Sequence, residues 1–288
     1  MTATAWSPVD VLREMWSLPF MVNAFRAGTF VAVLAGVTGW FMVARRQTFA
    51  GHTLSVVGFP GAAGAVLLGV PVWVGYVGFT VVTGLVLSRG SADGSAGGSV
   101  GREEDSALIG TVQAFALACG FWFVVLYAGL LGGTTSLLFG SFLAITTGQV
   151  TFLLALTVAV VAVLAVLGRR LLLATVDPAV AQARGVPVRA LDAVFLVLLA
   201  VSVAATVQVT GALLVFALLV LPAAAAQRLT ARPALAVAMS VLIGAAVVWT
   251  ALTVAFFSPY PFGFWLTALA FAVYVAAAAW GRTRERAR

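Results

Sequence analysis

Few side chains in this sequence could do chemistry. There is one histidine, His52, and one cysteine, Cys119. A neutral imidazole can ligate a transition metal, so His52 is the metal candidate. No Asp, Glu or Cys stands near it in sequence, and no H-E-x-x-H pattern occurs anywhere. An intramembrane hydrolase therefore has little to work with. Two readings of His52 stay open: a hydrogen-bonded or interfacial side chain, and a transient contact for a passing metal ion. A single cysteine excludes an intramolecular disulfide and a Cys-rich metal site. All sixteen basic residues are Arg. Without Lys the chain cannot supply the phosphate-binding loop G-x-x-x-x-G-K-[ST]. Any process driven by ATP needs that nucleotide on a separate subunit.

The elements that must carry these residues are membrane helices. The chain of 288 residues is 62% hydrophobic and only 9% charged, against about 25% charged in soluble domains. Apolar runs separated by short polar turns predict an all-α, polytopic bundle of about nine spans, within a range of seven to nine. The runs fall near 18–43, 54–70, 72–87, 107–130, 150–167, 190–207, 207–229, 234–257 and 265–280. The net charge of +7 could suggest nucleic acid. Its placement suggests topology instead. Arg45, Arg46, Arg89, Arg102, Arg169, Arg170, Arg184, Arg189, Arg228, Arg232 and the four arginines of the tail fall on one side of a single threading. The positive-inside bias makes that side cytoplasmic. The N-terminus is then outside, the C-terminus inside, and the partner implied is a lipid bilayer of the cytoplasmic membrane, with no call for nucleic acid. Arg26 lies within the first span, close enough to its end to snorkel outward. Asn23, Gln113, Gln149 and Gln208 are candidates for bonds between helices.

By domain, residues 1–17 form an extracytoplasmic segment without the features of a cleaved signal peptide. Residues 18–281 are the transmembrane domain and 282–288 a basic cytoplasmic tail. Within the domain, 88–105 is Gly/Ser-rich and expected to be a flexible cytoplasmic loop. The stretch 132–149 is uncharged and open to three readings: external loop, re-entrant segment or helix. In Leu54–Val70, Gly58 and Ala62, and Gly61 and Ala65, have small-xxx-small spacing, and Pro60 interrupts the run. Such spacing suits close helix packing and also marks transport pathways. Val207–Leu229 (VQVTGALLVFALLVLPAAAAQRL) reads as one helix with a polar start and a proline, Pro222, near its end.

Between the fifth and sixth spans lies 171–188. Asp177 or Thr175 can cap a helix whose first residue is Pro178. Gly185 suits a left-handed exit and Pro187 stops continuation. The predicted product is a short cytoplasmic helix, either a connector or a knob that docks on a partner protein.

The segment DPAVAQARGVP, followed by VTGALLVFALLVLPAAAA, resembles the membrane subunits of zinc/manganese-type ABC importers. That family carries D-P-x-x-A-x-x-x-G and then V-G-x-L-L-x-x-A-L-L-x-x-P-A-x-x-A. Asp177, Pro178, Ala181 and Gly185 match the first pattern. Gly211, Leu213, Leu214, Ala217, Leu218, Pro222, Ala223 and Ala226 match the second. LLFGSFLAIT resembles the family's L-F-G-S-x-L stretch. The likeness implies that 177–185 is the coupling helix for a separate ABC ATPase. It also implies a second copy of the chain, an extracytoplasmic substrate-binding protein, and a divalent metal, zinc or manganese, as cargo. The family commonly has G-D-A-L-S-H at the start of its second span, a metal pair one helical turn apart. Here the stretch is Gly51-His52-Thr53-Leu54-Ser55-Val56. His52 stands for the Asp and Val56 for the His, while Leu54, Ser55, Pro60 and Gly61 match. His52 and Ser55 are thus the pathway candidates, and the departure keeps a non-metal cargo open. A secondary transporter or channel without an ATPase is the other class of reading. The chain itself is expected to perform no covalent chemistry and to hold no cofactor.

Overall fold

A computed structural model describes residues 15–94, 98–127 and 145–286. After a helical turn at 15–17, ten α-helices are described: α1 (Pro19–Ala44), α2 (Thr48–Leu67), α3 (Val72–Gly94), α4 (Gly98–Leu126), α5 (Thr147–Val176), α6 (Pro178–Ala183), α7 (Val188–Thr210), α8 (Ala212–Leu229), α9 (Pro233–Phe257) and α10 (Phe262–Arg286). Eight of them are long and apolar enough to cross a membrane. A helix rises about 1.5 Å per residue, so some 20 residues suffice for the hydrocarbon core. The ninth apolar helix, α8, has 18 residues and is the short one.

α1, α2, α7 and α8 form the centre and α3, α4, α5, α9 and α10 the flanks. About 72% of the α2 span is buried against 17% of the α4 span. The flanking helices present large apolar side chains outward, among them Phe115, Trp122, Val166 and Phe271, as lipid-facing helices do. Close approach of the central helices depends on glycine. Gly39 of α1 lies against the Leu219 carbonyl of α8. Gly61 of α2 and Gly75 of α3 lie each against the other's carbonyl, and neither position has room for a Cβ. The small-xxx-small spacing of α2 is therefore a packing device, with Ala65 also in contact with Gly75. Pro60 lies inside α2 without breaking it, and Gly120 of α4 packs on its ring.

Two expectations need correction. Val207–Leu229 is two helices. Gly211 sits between α7 and α8 with φ 82° and ψ 157°, a conformation that glycine alone adopts readily. Gln208 and Thr210 therefore belong to the end of α7, and the chain reverses before Ala212. This reversal is buried, with Thr210 and Ala212 each only 1% exposed. The expected loop 88–105 is mostly helix, because α3 runs on to Gly94 and α4 starts at Gly98. Once a helix is nucleated, each further residue adds a hydrogen bond at little cost, and this extends both helices into Gly/Ser-rich sequence. The tail from 282 likewise continues α10 as far as Arg286.

Of 132–149, residues 132–144 lie outside the described residues, as does most of LLFGSFLAIT. Its last part starts α5: the Thr146 hydroxyl accepts from the Gln149 backbone at 3.3 Å, and the Gln149 side chain accepts from the Thr146 backbone at 2.9 Å, a complete capping box. Two of the four polar candidates link separate segments. Asn23 Nδ2 donates to the Ile145 carbonyl at 3.2 Å, and Gln113 Oε1 accepts from Thr53 at 2.8 Å. Gln149 serves its own cap, and Gln208 bonds Ala204 within α7. Arg26 is exposed.

Candidate functional site

The short helix α6 is built as its sequence dictates. The Asp177 carboxylate accepts from the Val180 backbone at 2.9 Å, and Pro178 occupies the first turn, where no donor is missed. The exit is a complete Schellman motif. Gly185 has φ 74°, its N–H donates to the Gln182 carbonyl at 2.9 Å, and the Val186 N–H donates to the Ala181 carbonyl at 3.0 Å. Ala181 is wholly buried, while Pro178, Ala179, Val180, Gln182 and Ala183 are exposed. The helix therefore sits on the bundle through one methyl group and offers the rest of its surface outward.

Beside α6 is a feature that sequence reasoning missed. Arg45, at the end of α1, turns inward. Its Nη2 donates to Asp192 Oδ1 in the first turn of α7, forming an ion pair. Its Nη1 donates to Thr175 Oγ1 in the last turn of α5 at 3.2 Å, and its Cζ lies 5.3 Å from the Phe195 ring centre. The Arg45 side chain is only 7% exposed. One guanidinium thus ties the α1–α2 turn to both helices that flank α6. Thr175 serves this contact, with its own hydroxyl bonded to Leu171, and Asp177 is the cap. The pair spans 147 residues, so no local signal could have shown it. A cavity of about 440 Å³ opens here, lined by Arg45, Arg46, Gln47, Thr175, Pro178, Gln182, Arg189 and Asp192 among others.

His52 lies one turn into α2. Its ring packs edge-on against Phe216 of α8, with centroids 4.9 Å apart and planes at 69°. Its Nδ1 is buried and has no protein partner. Ser55 is buried, and its hydroxyl donates to the His52 carbonyl at 2.7 Å; that bond stabilises the turn and leaves the imidazole free. Val56 and His52 are both partly exposed and share one face of α2. The start of α2 is partly open, with Phe49 43% exposed, and Gly51 lies against the Met42 sulfur near the end of α1. Among the described residues no group of three His, Cys, Asp or Glu side chains could hold a metal ion. His52 thus has no partner ligand within this chain as described.

Pro60, Gly61, Gly211 and Pro222 are structural in placement. Pro222 is buried within α8, which runs through it unbroken. The structure does not bring α6 and His52 together. Arg45, seven residues before His52 in the chain, lines the cavity beside α6.

Comparison with known proteins fits this geometry. The chain is 30% identical over 234 residues to the manganese transport system membrane protein MntC of Halalkalibacterium halodurans, covering 80% of this chain and 77% of that one. It is 29% identical over 182 residues to the manganese import system permease protein ScaB of Streptococcus parasanguinis, covering 62% and 61%. In fold it matches PsaBC from Streptococcus pneumoniae, solved in complex with Fab, with a TM-score of 0.81, 22% identity, and coverage of 94% of this chain and 95% of that one. Eight membrane-length apolar helices and likeness to membrane transport proteins make this a multi-pass protein of the cell membrane. Residues 17–281 match the pattern of the ABC 3 transport family, and the chain belongs to that family.

Proposed function

We propose that the chain is the membrane-spanning permease subunit of an ABC importer that moves a divalent metal ion, zinc or manganese, into the cytoplasm. Power comes from a separate ATPase. Two copies form the pathway, an extracytoplasmic binding protein delivers the ion, and the arginine-bearing end faces the cytoplasm. The observation that carries this reading is α6. A six-residue helix capped at both ends, exposed on all but one side and held between two membrane helices is built to receive force from a docked protein. In a chain without a phosphate-binding loop, that protein is the ATPase. The relatives named for manganese transport support the cargo class.

A second reading keeps the ABC machinery and changes the cargo. It is favoured by Val56, which stands where the resemblance expects a histidine, and by Phe216, which packs on the only imidazole. Reconstitution of the chain with its ATPase and binding protein separates the two. Manganese or zinc should stimulate ATP hydrolysis and accumulate inside vesicles. Coupled hydrolysis that ignores every divalent metal would favour the second reading.

A further inference from the structure

The cavity beside α6 contains an arrangement of charge that the fold does not consume. It is lined by three guanidinium groups, Arg45, Arg46 and Arg189, and by one carboxylate, Asp192. Asp192 is already paired with Arg45. Arg46 and Arg189 are exposed, and their guanidinium groups have no acceptor among the described residues. Arg45 Nε is buried in the same place without a partner. Two free guanidiniums beside an ion pair that is already satisfied leave the cavity with an excess of positive charge, which favours an anionic group.

Backbone geometry fixes where these groups lie. Arg46 has φ 58° and is the one non-glycine residue with positive φ among those described. It is the left-handed residue of a Schellman stop to α1: its N–H donates to the Val43 carbonyl at 3.1 Å, and the Gln47 N–H donates to the Met42 carbonyl at 3.0 Å. Glycine is the usual residue there. The stop turns the chain so that Arg45 and Arg46 both line the cavity.

The occupant is indicated by the remaining wall. Pro178 and Gln182 of α6 form one side, so a protein that grasps α6 must also cover the cavity mouth. We propose that the cavity is a receptor for a carboxylate side chain of the docking ATPase, bound by Arg46 and Arg189 above the fixed Arg45–Asp192 pair. α6 then supplies shape, and the cavity supplies an electrostatic lock that selects an acidic partner surface and orients it. This inference rests on the permease reading.

The test uses the full chain in nonionic detergent and measures ATPase affinity at low and high ionic strength. Arg46→Gly removes the guanidinium and relieves the strained φ, so it should raise thermal stability while weakening ATPase binding. A merely structural role cannot produce that combination. Arg46→Gly with Arg189→Gln should weaken binding by about tenfold at low salt, with the difference shrinking as salt screens it. Neutralising one acidic residue on the ATPase docking face should reproduce the loss and add nothing in the double variant. Equal affinity for wild type and variant at both salt levels overturns the proposal while leaving the permease reading in place. A difference that appears only in nanodiscs of anionic lipid overturns it in favour of a lipid headgroup. Failure of the wild-type chain to bind the ATPase at all overturns both.

Discussion

Arg45 and Asp192 form an ion pair between the end of α1 and the first turn of α7, and the same guanidinium reaches Thr175 at the end of α5. The pair lies between the coupling candidate α6 and α2, which carries His52. Any movement of α5 or α7, the helices that flank α6, relative to the α1–α2 turn must break or carry this contact. Removing Asp192 leaves a buried guanidinium unpaired, which should cost about 3 kcal/mol. Asp192→Ala is expected to lower the unfolding midpoint in detergent. The double variant Arg45→Met/Asp192→Ala should lose less than the sum of the two single changes. Additive losses would show that the pair makes no joint contribution.

The α2–α3 contact depends on two glycines. Gly61→Ala or Gly75→Ala drives a methyl into the facing carbonyl, and such overpacking should cost about 1–3 kcal/mol. Gly78→Ala is the internal comparison, because a Cβ there meets nothing within 4 Å. It should be neutral, or stabilising through higher helix propensity. Equal effects at positions 75 and 78, read by thermal unfolding, would remove the close approach as the cause.

Gly211→Ala tests the break between α7 and α8. At φ 82° an alanine is strained by about 1–3 kcal/mol. A variant as stable as wild type would mean that α7 and α8 do not reverse there.

The His52 face yields a prediction of gain. Val56→His places a second imidazole one turn from the first, the spacing that a metal pair uses. It should tighten metal binding and change the metal preference of uptake. His52→Ala should reduce uptake. Unchanged uptake kinetics in His52→Ala would remove the imidazole from the path.

Composition and periodicity were enough to read the helical architecture, and Asp177, Pro178 and Gly185 were enough to read α6, because caps are local chemistry. The Gly211 reversal was hidden because glycine signals freedom of φ without saying that the freedom is used; the apolar run continues through it. The Gly/Ser-rich stretch misled because composition reports intrinsic propensity, whereas α3 and α4 extend into it from helices already formed. The Arg45–Asp192 pair was hidden for a different reason. Each residue reads alone as a helix-end charge, and only packing of α1 against α7 brings them together.

The central claim is that this chain carries a divalent metal under the drive of an ATPase that grips α6. The direct measurement is manganese or zinc accumulation by vesicles holding the chain, the ATPase and the binding protein, with Asp177→Ala/Gly185→Ala alongside wild type. The account predicts ATP-dependent accumulation by wild type, and ATP hydrolysis no longer tied to uptake in the variant. Metal uptake that proceeds equally without ATP, or an α6 variant that transports as wild type does, would contradict it.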